Sequence, residues 1–96
     1  MSDRFPAKWM CTLDERLIEF VAEEPLASPS LMTSAMPVEA SEQRIRERCS
    51  MLAEAGLIAP FSEDAEMYEV TGEGQRYLRG DLDAEHQPRP NPRAEG

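Results

Sequence analysis

Residues 41–70 read SEQRIRERCSMLAEAGLIAPFSEDAEMYEV, and their reading decides the fold. The Ser41 hydroxyl is placed to cap a helix, and Ile45, Cys49 and Leu52 then fall at i, i+4 and i+7, one apolar stripe of a 3.6-residue period. Gly56 supplies the left-handed residue on which such a helix ends. Two short apolar runs follow around the acidic tip at 62–66, so the spacing predicts a hairpin with strands near 57–61 and 67–70. Pro60 lacks a ladder donor and confines the first strand to an edge. Thr71 then caps a last short helix that runs through Tyr77 and Leu78 to Gly80.

Toward the N-terminus, Thr12-Leu13-Asp14-Glu15 fits a capping box, and Leu13, Leu17, Phe20 and Val21 trace an amphipathic helix to about Glu24. Pro25 ends it. Ser28-Pro29 is a second start signal, a hydroxyl cap with proline at the first helical position, and Pro37 stops that helix near Met36. The order is helix, short helix, turn, longer helix, hairpin, helix. That order is mainly α with a small β-hairpin: a winged helix-turn-helix over residues 12–80. Residues 1–11, with the isolated Trp9-Met10 pair, are expected to form an N-terminal arm. Residues 81–96 carry three prolines in the last nine positions and no apolar periodicity, and are expected to be a disordered acidic, proline-rich tail. A body of roughly 70 residues buries only about 60% of its unfolded-chain surface, so a homodimer is expected, built through the arm or the last helix.

Composition narrows the function. In 96 residues there are 2 Cys and 1 His, too few for a four-ligand zinc cage or a disulfide framework, so neither metal nor cofactor is expected. No carboxylate stands at nucleophile or metal-ligand spacing, which argues against an enzyme. Nothing is apolar enough to span a bilayer or to direct secretion, and the expected location is cytoplasmic with no membrane partner. Lys8 is the sole lysine, while Glu contributes 14 of the 19 acids behind the net charge of −9. Such a surface suits molar salt, where repulsion is screened within about 3 Å. At ordinary ionic strength the same charge would argue against phosphate binding; in molar salt that objection loses its force.

Winding residues 41–55 at 100° per residue puts Gln43 and Glu47 opposite the buried stripe, with Arg46 and Ser50 on one flank and Arg44 on the other. Arg48 lies nearer the buried edge, where a salt bridge or a backbone phosphate suits it better than a base. Arg and Gln match guanine and adenine edges in the major groove, and Glu accepts from cytosine N4. Residues 41–50 hold three Arg and two Glu, net +1, against −5 for residues 10–40. Ser41, Gln43, Arg44, Arg46, Glu47, Arg48 and Ser50 are therefore the expected contacts to double-stranded DNA. The same face also fits a plain solvated helix surface. Cys49 is expected to be a core thiol, Tyr68 and Tyr77 core aromatics, and Met32, Met36, Met51 and Met67 core filler. Trp9 fits either an arm anchor or a dimer contact.

Trp9-Met10, LDERLIEFVAEEPLASPS at 13–30, RCSMLAEAGLI at 48–58, and the spaced Tyr68, Thr71, Gly74, Tyr77-Leu78, Gly80 and Leu82-Asp83 together resemble the phage phiH-type repressor family. These are small winged-helix regulators of halophilic archaea, and the resemblance runs over residues 9–83. It implies a DNA-binding transcriptional regulator of the repressor kind, with the helix from Ser41 as recognition helix and the hairpin as wing. The acidic wing and the net charge also fit an alternative, a winged-helix protein-interaction module that has lost DNA binding.

Overall fold

Helix α1 (Thr12–Glu23) in the computed structural model starts on a different cap from the one its sequence suggests. Cys11 is the N-cap, and Asp14, not Glu15, reaches back to accept the Cys11 N–H at 2.8 Å. The reason is tertiary: Asp14 is fully buried and fixed by α3, whereas Thr12 is exposed. Leu17, Ile18 and Val21 turn inward, and Leu13 and Phe20 are half-buried beside them. The described residues are 3–37, 39–62 and 66–90.

Past Pro25 the chain turns through Leu26, held at φ +59°, into Ala27. Helix α2 (Pro29–Ala35) follows, its Ser28 Oγ accepting the Leu31 N–H at 3.1 Å. Met36 donates its N–H to Met32 O, and Pro37 prevents another turn. Helix α3 (Glu42–Glu54) opens with Ser41 Oγ accepting the Arg44 N–H at 3.1 Å. It ends in a Schellman motif, with Gly56 at φ +81° and the Leu57 N–H returning to Leu52 O at 3.0 Å. Ile45, Cys49 and Leu52 are completely buried.

Strands β1 (Ile58–Pro60) and β2 (Tyr68–Val70) pair antiparallel, Ile58 opposite Val70 and Pro60 opposite Tyr68. Both ends of the Tyr68 peptide also bond Ala27, at 2.8 and 3.1 Å. The α1–α2 junction thus adds a third rung beyond β2 and leaves β1 as the outer strand, where Pro60 is tolerated. Of the acidic tip, residues 63–65 lie outside the described residues. Helix α4 (Gly72–Leu78) is capped by Thr71 Oγ1, which accepts from Gly74 N and donates to Gly56 O. Tyr77 is buried beside Glu15; burial first, then that neighbouring charge, pushes the phenol pKa up.

The C-terminal segment carries local structure where a disordered tail was expected, and the arm packs on the body. Residues 81–90 are not a disordered tail: Asp83 caps a single 3-10 turn (Ala84–His86), Ala84 is buried, and its N–H donates to Phe5 O at 2.9 Å. Gln87 Nε2 reaches Ala55 O at 3.1 Å, covering the end of α3. The order comes from single contacts, each too short to leave a periodic signal. Residues 91–96 lie outside the described residues. On the arm, Ala7 is buried and Arg4 ties the arm to two helices, donating to Leu78 O of α4 and to Glu15 and Glu19 of α1.

Candidate nucleic-acid interface

Helix α3 packs against α2, α1 and β1, and the side it leaves uncovered carries Gln43, Arg44, Glu47 and Ser50, all exposed. Ser41 is exposed too, its hydroxyl engaged in the cap. Gln43 Nε2 sits 3.4 Å from Glu47 Oε2 one turn on, a marginal bond between side chains standing on the same row. Arg44 pairs with no carboxylate among the described residues; its Nη2 lies 3.9 Å from Cys11 Sγ, at the rim of a cleft of about 470 Å³ shared with Arg16 and Glu39.

Arg46 stands on the flank toward the wing, with its side chain 41% exposed. Its Nε and Nη2 both donate to Glu66 in the wing loop just before β2, and Nη2 also donates to Glu42 one turn back at 2.9 Å. The Glu66 and Glu42 hydrogen bonds hold the guanidinium above its ordinary pKa. In return Arg46 holds Glu66 below the usual carboxylate range.

Arg48 is the expected contact that the structure places elsewhere. Its side chain is only 15% exposed and points into the body, where Nε and Nη2 grip the two oxygens of Asp14 at 2.8 and 2.6 Å. Nη2 also donates to Trp9 O at 3.1 Å, and the guanidinium lies 5.9 Å from the Trp9 ring centroid. Of the two roles open to it, the structure shows the salt bridge: Arg48 ties arm, α1 and α3 together. The Asp14 hydrogen bond outweighs burial and keeps its pKa raised. Asp14 is the residue the sequence reading passed over. Its signal was a carboxylate at the head of the buried row Asp14, Leu17, Ile18, Val21, which demands a cation from a facing helix.

Cys49 is a core thiol: its Sγ meets Met32 Sδ at 3.8 Å, and burial pushes its pKa up to about 12. Cys11 is half-buried. Among the described residues no group of three His, Cys, Asp or Glu side chains is arranged to hold a metal ion. No helix among them is long and apolar enough to cross a membrane. Phe61, at the wing end of β1, is 52% exposed, an apolar side chain the sequence reading had not singled out.

The geometry defines a winged helix-turn-helix protein, with α2 and α3 as the helix-turn-helix and β1–β2 as the wing. The chain belongs to the winged helix-turn-helix phage repressor family, whose pattern it matches over residues 1–88. Its structure is similar to the crystal structure of the PhiH1 repressor-like protein from Haloarcula marismortui. The TM-score is 0.84 at 28% identity, over 93% of this chain and 99% of that one. Among curated proteins nothing matches. The expected fold and the expected family both hold, and the family is one of winged-helix regulators, not of enzymes.

Proposed function

We propose that this protein is a sequence-specific DNA-binding transcriptional regulator, a repressor, that lays α3 in the major groove of double-stranded DNA as a cytoplasmic homodimer. The observation that carries the reading is the exposed row Gln43, Arg44, Glu47 on the second helix of a helix-turn-helix, with Arg44 unpaired to any carboxylate among the described residues. Two α3 helices in a dimer address half-sites about one helical turn, roughly 34 Å, apart. Arg44, Gln43 and Glu47 face the bases, Arg46 and Ser50 lie on one flank, and Ser41 stands at the helix N-terminus beside the backbone. The crystal structure of the Haloarcula protein, described as repressor-like, supports the assignment by its match to nearly the whole chain.

The test is selection of bound duplexes from a random library and from genomic DNA at high KCl, followed by anisotropy titration of the selected sequence. Arg44→Ala should weaken selective binding by about 5- to 150-fold, the range of one bidentate base contact, with the fold intact. Selective binding that Arg44→Ala leaves unaltered would show that another face reads DNA. Absence of binding at every KCl concentration would turn the protein into the interaction module that its net charge of −9 also suits.

A further inference from the structure

Arg46 shares the recognition face with Arg44, but its donors are already in use. A guanidinium carries five N–H groups in a rigid fork. In this structure the Nε–H and one Nη2–H go to Glu66, and Nη2 also donates to Glu42, which leaves only Nη1 unengaged. Reading guanine O6 and N7 takes two donors on neighbouring nitrogens, either Nε with Nη2 or Nη1 with Nη2. Neither pair is complete. A carboxylate occupies the position that a base edge or a phosphate would take.

We infer that Glu66 in the wing loop, assisted by Glu42, is a positioning residue that holds Arg46 in a clamp which must open before Arg46 reads a base. The inference rests on the DNA-reading function proposed above and adds a wing residue to it. The clamp spans 20 residues of sequence and joins the wing loop to α3, so it also sets where that loop lies relative to the groove. All three side chains are exposed by 41–48%, which makes the clamp soft and open to screening by salt. Potassium chloride then acts twice on binding. It weakens attraction to phosphates, and it loosens the carboxylates that compete for Arg46. The two effects oppose each other, so the wild-type protein loses affinity with salt less steeply than its phosphate contacts alone require.

The test compares wild type, Glu66→Gln, Arg46→Ala and the double variant on a duplex selected by the wild-type protein, from 0.2 to 2 M KCl. Glu66→Gln should bind about three- to fivefold tighter at 0.2 M, with the gain fading toward 2 M, so that its salt dependence is the steeper of the two. In the Arg46→Ala background Glu66→Gln should gain less than about twofold, because the competition has no object. An equal gain in both backgrounds would mean that bulk charge alone is at work and would overturn the clamp. So would an unchanged salt slope. A DNA-free measurement separates this failure from that of the function: the Arg46 Nε–Hε resonance in the free protein should shift on Glu66→Gln and with added KCl. A resonance indifferent to Glu66→Gln overturns the clamp whatever the DNA results. If that resonance shifts but none of the four proteins binds duplex at any salt, DNA reading itself is overturned, and the role given to Glu66 with it.

Discussion

Arg44 and Arg48 stand one helical turn apart on α3 and have opposite fates, decided by what faces each of them. Arg48 meets a fully buried carboxylate, Asp14, in a two-pronged pair whose partner also accepts the Cys11 N–H. Removing one member of a buried pair strands the other charge without water or partner, an effect of about 3–5 kcal/mol. Arg48→Ala should therefore lose stability by about that much in urea denaturation, while Arg44→Ala, at an exposed position, should stay within about 0.5 kcal/mol. A small loss for Arg48→Ala would mean that Asp14 is hydrated and that the pair does not hold the arm to the body. The helical angle in the sequence had already put Arg48 near the buried edge of α3. Its partner could not be read from α3, because the deciding residue lies 34 positions earlier, in a row that looks apolar until its first member is counted.

At the scale of elements, the close approach of α4 to the start of β1 is made possible by one missing side chain. A Cβ on Gly74 would lie 2.1 Å from the backbone oxygen of Leu57 and 2.9 Å from the Val70 side chain at Cγ2, too close for either to stay where it is. Gly74→Ala should force α4 away from the hairpin and lose about 3 kcal/mol or more by thermal melting. Gly72→Ala, two residues earlier with nothing within 4 Å, should be neutral or slightly stabilising. The arm supplies a second test. Burial raises the Glu19 pKa, but the Arg4 hydrogen bond and the charges of Arg16 and Arg4 outweigh it and hold Glu19 below its ordinary value. A carboxylate depressed in the folded state stabilises above its unfolded pKa, and that contribution is lost as pH falls through the folded one. Glu19→Gln should thus lower Tm at pH 7, and the gap should close progressively as pH falls below the ordinary carboxylate range; a gap undiminished in acid would assign the loss to packing. Helices and hairpin were legible because each carries its own punctuation, Ser28, Ser41, Thr71, Gly56 and Pro37, close to the residues it governs. The cap of α1 moved by one residue, and the order of 81–87 went unread, because Asp14, Ala84 and Gln87 each have a deciding partner across the fold, in Arg48, Phe5 and Ala55.

For the whole molecule, the question is which way salt pushes, since the chain carries 10 basic and 19 acidic residues and most of them lie in a body of 12.3 Å radius of gyration. Two like charges about 12 Å apart repel by about 0.3 kcal/mol in water, and an excess of nine acids makes many such pairs. Unfolding spreads these charges apart, so repulsion favours the unfolded chain at low ionic strength. Exposed pairs such as Arg16–Glu19 and Arg79–Asp81 act in the other direction, but each contributes only about 0–1 kcal/mol and is itself screened. Arg48–Asp14 is buried and is screened far less. Because the acids outnumber their possible partners by nearly two to one, screening removes more repulsion than attraction. Tm should rise with KCl, most steeply below about 0.5 M, while the Debye length contracts from about 30 Å at 0.01 M toward 3 Å at 1 M. Under the proposed function DNA affinity would move the opposite way: a dimer neutralising about three phosphates per subunit, roughly six in all, would have a log-log slope of about −5, which no regulator confined to that term survives in molar salt. Folding and binding are thus reconciled only if recognition rests on base edges, with a slope well short of −5. Scanning calorimetry and anisotropy over one KCl series examine both halves. A Tm that falls across the range, or a binding slope as steep as the phosphate count requires, would show that this surface was not shaped for concentrated salt.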